Sequence, residues 1–117
     1  MNNRTRKLLF DVQDSARSIR DWCRNRTFAE YEADRQFRRA VEREFEIIGE
    51  ALNQLSHEDA DAAERILQLP RIVGFRNRII HSYDTIDDAT VWGVIEGHLP
   101  MLLTEVEALL HESDADA

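Results

Sequence analysis

Between Arg76 and Tyr83 the chain sets an arginine, an asparagine, a histidine and a tyrosine into an otherwise apolar stretch, Gly74-Phe75-Arg76-Asn77-Arg78-Ile79-Ile80-His81-Ser82-Tyr83-Asp84. A guanidinium offers a permanently charged fork of donors that matches phosphate oxygens. An imidazole titrates near pH 6.5, at about the point where it can both give and take a proton at neutral pH. Asn77 precedes His81 by four residues, one helical turn, from where it can orient the ring or donate to an anion. Arg78 adds a second cation next to it. Gripping a phosphate and moving a proton is the chemistry these types offer. The structural alternative is a helix end on which Arg, Asn and His serve as caps and complement the dipole.

On a helical wheel of about 100° per residue with Ile72 at zero, Phe75 falls near 300° and Ile79 near 340°. Val73 and Ile80 fall at about 100° and 80°, a second apolar stripe, while Arg76 and Tyr83 lie between the two at about 40° and 20°. Asn77, His81 and Gly74 occupy roughly 140° to 200°. One stripe suits the chain's own core and the other a second subunit. Arginine is rarely buried without a partner. Arg76 is therefore expected either to pair with Glu46 or Glu50 of the second helix or to border a groove that takes an anion.

The elements that position this stretch are helices. With 117 residues, 4 glycines and 2 prolines, the chain is one domain of helices joined by short turns. A first helix is predicted over residues 5–25, with the stripe Leu8, Val12, Ser15, Ile19 and Trp22. Thr27 is a candidate cap for a short turn through Phe28 and Tyr31. A second helix over residues 34–55, capped by Asp34, buries Phe37, Val41, Phe45, Ile48, Leu52 and Leu55. Gly49 within it predicts the close approach of another helix. A third, residues 58–69, starts at Ser56-His57-Glu58-Asp59 and buries Ala63, Ile66 and Leu67. The fourth, residues 71–82, carries the polar cluster. A fifth, residues 88–112, is capped by Thr85 or Asp87 and kinked at Pro100. The whole is an all-α, antiparallel up-and-down bundle of four to five helices in one domain, residues 1–112, with a disordered acidic tail at 113–117.

Charge is uneven. Residues 1–43 hold 11 basic and 7 acidic side chains, and residues 44–117 hold 4 basic and 16 acidic, for a net charge of −8. The acidic second half disfavours bulk nucleic acid, so any RNA contact must be local. No apolar run is long enough to span a membrane, and the basic start lacks the apolar segment of a signal peptide. Cys23 is the only cysteine, too few for an internal disulfide or a zinc site, which suits a reducing cytoplasm.

Arg76, four residues, His81, one residue and Tyr83 resemble the R-x4-H-x-Y signature of HepT-like toxins in the HEPN superfamily. The polar Asn77 after the arginine fits that pattern, as does the helix order. Glu46-Ile47-Ile48-Gly49-Glu50-Ala51 resembles the family's second-helix segment. Ser82 stands where glycine is common in the family. The resemblance implies a HEPN-like bundle and a metal-independent endoribonuclease needing no cofactor. It implies Arg76 and His81 as catalytic residues, supported by Asn77 and Arg78, in a cleft between the two copies of a homodimer. It further implies the toxin of a type VII pair whose partner, an MntA-like minimal nucleotidyltransferase antitoxin, attaches AMP to Tyr83. The same residues also suit a non-catalytic nucleotide- or partner-binding subunit of such a nucleotidyltransferase complex, or a plain helical scaffold.

Overall fold

A computed structural model describes residues 1–81 and 86–115, and among them every regular element is a helix. In chain order these are α1 (Asn3–Cys23), α2 (Phe28–Ala33), α3 (Arg35–Glu58), α4 (Ala60–Glu64), α5 (Leu69–His81), α6 (Asp88–Gly97) and α7 (Leu99–Ala115). The all-α bundle is as predicted, with the short α2 added, the third helix shortened to α4 and the fifth divided. None of these helices is long and apolar enough to cross a membrane.

Side chains fix the boundaries. Asn2 begins α1 by accepting from the Thr5 backbone N–H. Asn25 ends the following turn at a positive φ of 63°, a conformation asparagine adopts more readily than most residues. Thr27 and Glu30 then cap α2 reciprocally, a pairing that contributes about 1 kcal/mol. Asp34 caps α3 at Phe37, as its position suggested.

The expected start at Ser56 is corrected: α3 continues to Glu58, and only Asp59 caps the next helix. The Ser56 hydroxyl donates back to the Asn53 carbonyl at 2.6 Å, and the His57 ring contacts the same carbonyl at 2.9 Å. Both side chains are thus spent on the last turn of α3, leaving none to cap a new helix. Helix α4 is a single short turn that buries Ala62, and Leu67 beyond it is 78% exposed, not core. Glu105 of α7 takes the Leu67 and Gln68 backbone N–H groups at 2.8 and 3.2 Å, which fixes the backbone and turns the Leu67 side chain outward.

Pro100 sits in the first turn of α7, where a missing N–H costs nothing, so the chain breaks at His98 instead of kinking within one helix. Asp87 caps α6, whereas Thr85 lies outside the described residues. Helix α7 runs on to Ala115, past the expected end at residue 112, with Arg6 of α1 bound to Ser113 at 2.6 Å and to Asp114 at 2.8 Å. Residues 116–117 fall outside the description.

The core lies between α1, α3 and α7, where Leu9, Val12, Ile19, Phe45, Ile48, Leu52, Leu102 and Val106 are fully buried. Trp22, placed in the α1 stripe by its spacing, is 40% exposed, and Cys23 beside it packs against the core instead. Helix α5 lies at the edge of this arrangement with α3 as its principal neighbour. Ile72 and Phe75 are its buried anchors, and Phe75 meets Phe45 edge to face at 5.0 Å.

Candidate active site

About 100° round α5 from Phe75, Arg76 also meets α3. What receives it is Gly49. A Cβ built on Gly49 would lie 2.3 Å from the Arg76 Cβ and 2.5 Å from its Cγ. The arginine stem therefore crosses α3 in the space a side chain would occupy, and Gly49 is the close-approach position its place beside Ile48 and Leu52 suggested. Only 12% of the Arg76 side chain is exposed.

The guanidinium emerges at the rim of α3. There its Nη2 lies 3.4 Å from Oε2 of Glu50, the second of the two carboxylates expected as partners. Glu46 instead pairs with Arg43 at 3.2 Å. The other oxygen of Glu50 accepts from Gln54 at 2.9 Å, and Gln54 in turn accepts from Arg4 of α1 at 2.6 Å. Glu50 is thus steadied from behind, and it holds one arm of the fork. The Nε–H of Arg76 is buried and has no acceptor among the described residues. A buried donor left unpaired costs about 1–3 kcal/mol. Arg76 is fixed in place with hydrogen-bonding capacity unspent.

Asn77 and His81 occupy the outward face of α5, both exposed, with His81 in its last turn. Ile80 beside them is 44% exposed, so the second apolar stripe is uncovered at that end only, while Val73 is partly covered by the core. Arg78 is exposed on another side, at a cleft facing α6. The structure therefore brings Asn77 and His81 together on one face and turns Arg76 toward α3 and Arg78 toward α6. Tyr83 lies outside the described residues.

Sequence reasoning gave Arg76 either a carboxylate of α3 or an anion-binding groove; the carboxylate is there in Glu50, but the Glu50–Gln54–Arg4 chain behind it was missed. The four-residue spacing of Glu50 and Gln54 was the available signal; Arg4 is joined only by the tertiary fold. Cys23 is half-buried, and burial pushes its thiol up to about 11 despite the nearby Arg26, so it is no nucleophile at neutral pH. Among the described residues no three His, Cys, Asp or Glu side chains are grouped to hold a metal ion.

An all-helical bundle with Arg76 and His81 on an edge helix has the form of the HEPN superfamily. The chain matches the family model described as Ribonuclease HepT-like over residues 12–109, and it belongs to that family. Among its relatives, "Putative RNase MJ1380" of Methanocaldococcus jannaschii is 32% identical over 101 residues, covering 85% of this chain and 90% of the relative. "Putative RNase MJ0127" of the same organism is 26% identical over 113 residues, covering 95% and 91%. "Probable ribonuclease HepT" of Thermococcus cleftensis is 26% identical over 101 residues, covering 86% and 91%. No solved structure matches the chain.

Proposed function

We propose that this chain is an endoribonuclease toxin that cleaves RNA without a metal ion, using Arg76 and His81 in the cleft of a homodimer. The observation that carries the reading is the seating of Arg76. A cation is pressed into a glycine gap, with a buried Nε–H that has no acceptor among the described residues, on the helix that exposes His81. A merely structural arginine would be expected to satisfy its donors.

In the reaction, the ribose 2′-oxygen attacks the adjacent phosphorus and gives up its proton to an imidazole acting as base. The bond to the 5′-oxygen breaks, and that oxygen leaves with a proton from an acid. A 2′,3′-cyclic phosphate and a 5′-hydroxyl result. Arg76 stabilises the charge that gathers on the phosphorus oxygens, and Asn77 orients the His81 ring or binds phosphate. One chain has a single histidine on this face. A two-fold axis through the exposed α5 face would supply a second and would bury Ile80 of each copy.

Control is assigned to an MntA-like nucleotidyltransferase that attaches AMP to Tyr83, two residues beyond His81. The added phosphate would compete for Arg76 and fill the groove. Purified protein should digest RNA in the presence of a strong chelator and leave cyclic-phosphate ends. Incubation with the nucleotidyltransferase and ATP should end the digestion and add AMP to wild type but not to Tyr83→Phe. Cleavage abolished by the chelator, or AMP attached elsewhere, would overturn those parts of the reading.

A further inference from the structure

A second feature of α5 lies on a different side from His81. Arg71, Gly74, Phe75 and Arg78 of α5 face Thr90, Gly93, Val94 and His98 across a cleft of about 600 Å³. That size falls within the range of small-ligand sites. The floor is apolar and the rim cationic. Gly74 and Gly93 are not there to let helices touch, because a Cβ on either would meet nothing within 4 Å. Their effect is to keep the cleft open.

The cations on its rim are unlike most others in the chain. Arg6, Arg17, Arg65 and Arg76 are each bound to a carboxylate. Among the described residues Arg71 and Arg78 are in no such pair; the one partner of Arg71 is the His98 ring nitrogen, at 3.4 Å. Gln68 holds the other nitrogen of that ring at 3.0 Å. In the acidic second half of the chain, two cations at an open apolar cleft stand out as an anion-binding feature. They are seven residues apart on one helix, about 10 Å along its axis. That spacing lets each take a phosphate, while a flat base lies on the floor between them.

We propose that the α5–α6 cleft binds a nucleotide unit of single-stranded RNA, with Arg71 and Arg78 on the flanking phosphates and the base against the Gly74–Gly93 floor. This rests on the ribonuclease reading for its ligand, and it extends the substrate path round α5 from His81. An unpaired strand is required, because a base within a duplex cannot reach the floor.

The test separates binding from cleavage. A fluorescent single strand of 2′-O-methyl RNA has no free 2′-hydroxyl and cannot be cut by the proposed route, so its anisotropy reports binding alone. Arg71→Ala/Arg78→Ala should weaken binding by about tenfold or more and flatten the log–log salt dependence by about 1.4. Gly93→Leu, which fills the cleft without changing charge, should weaken it too. The control is Arg20→Ala/Arg24→Ala, which removes two cations that do not line the cleft, with thermal melting to confirm folding of each variant. An equal loss in the control would show that only net charge matters and would overturn the proposal. Binding unchanged in the cleft variants, or no binding by wild type, would also overturn it. Unmodified RNA tests the ribonuclease reading separately: binding that depends on the cleft without any cleavage would keep the nucleotide site and sink the enzyme.

Discussion

His81→Ala is expected to lower RNA cleavage by about 10²–10⁴-fold, the usual worth of a positioned acid or base. The fold should hardly notice. His81 is exposed at the end of α5, and exposed substitutions usually change stability by no more than about 0.5 kcal/mol, or about 2 °C of melting temperature in a domain of this size. Arg76→Ala should match it in activity for a different reason, losing charge stabilisation at the phosphorus oxygens. Arg76→Lys makes the pair informative. Its stem still crosses Gly49 and its charge still faces Glu50, but it lacks the fork, so activity should fall between wild type and alanine. Measured rates with folding and dimerisation monitored decide the matter. Equal activity in His81→Ala and wild type would remove His81 from the chemistry, and dissociation of the dimer in either alanine variant would make the residues structural.

Gly49→Ala is the second large effect, and its direction is counter to helix propensity. Alanine within a helix is favoured over glycine by about 1 kcal/mol. Here the added carbon would lie 2.3 Å from the Arg76 Cβ, the rigid root of that side chain and not its flexible end, so α3 and α5 must move apart. Overpacking of this kind costs about 1–3 kcal/mol. The net expectation is a destabilised protein, with cleavage reduced by about 10²-fold because Arg76 no longer sits where it was held. A double variant sharpens this: Gly49→Ala/Arg76→Ala should stay destabilised, since the alanine at 76 keeps the offending Cβ, whereas Gly49→Ala/Arg76→Gly should recover stability without activity. Melting curves for wild type and the three variants check it, and a Gly49→Ala protein as active and stable as wild type would show that the glycine gap is not needed.

The same glycine shows how far the sequence could be read. A glycine between Ile48 and Leu52 on a strongly patterned helix announces a close approach, and an arginine inside an apolar arc announces a partner. That the two features are one contact required the α3–α5 packing, which no spacing within either segment contains. The long helices were legible because their apolar stripes are regular and Asp34, Thr27 and Asp87 cap where their types suggest. The reading failed where a local signal had two uses. Ser56 and His57 look like a helix start and instead bond back to Asn53. Leu67 looks like core and is turned outward by Glu105, thirty-eight positions along the chain. The α5–α6 cleft was invisible for the converse reason: Gly74 and Gly93 matter for what they leave empty, and emptiness has no period.

The edge position of α5 has a consequence for how the molecule opens. A helix anchored chiefly by Ile72 and Phe75 against one neighbour can detach while α1, α3 and α7 stay folded. Its amides should therefore exchange with solvent deuterium through a local opening, faster than those of α3 by a factor that added RNA or dimer formation reduces. Exchange of α5 at the same rate as α3 would show instead that the bundle opens only as a whole. In the local regime the protein has an unfolded form of α5 within reach of its native state, and whatever binds that helix also governs its folding.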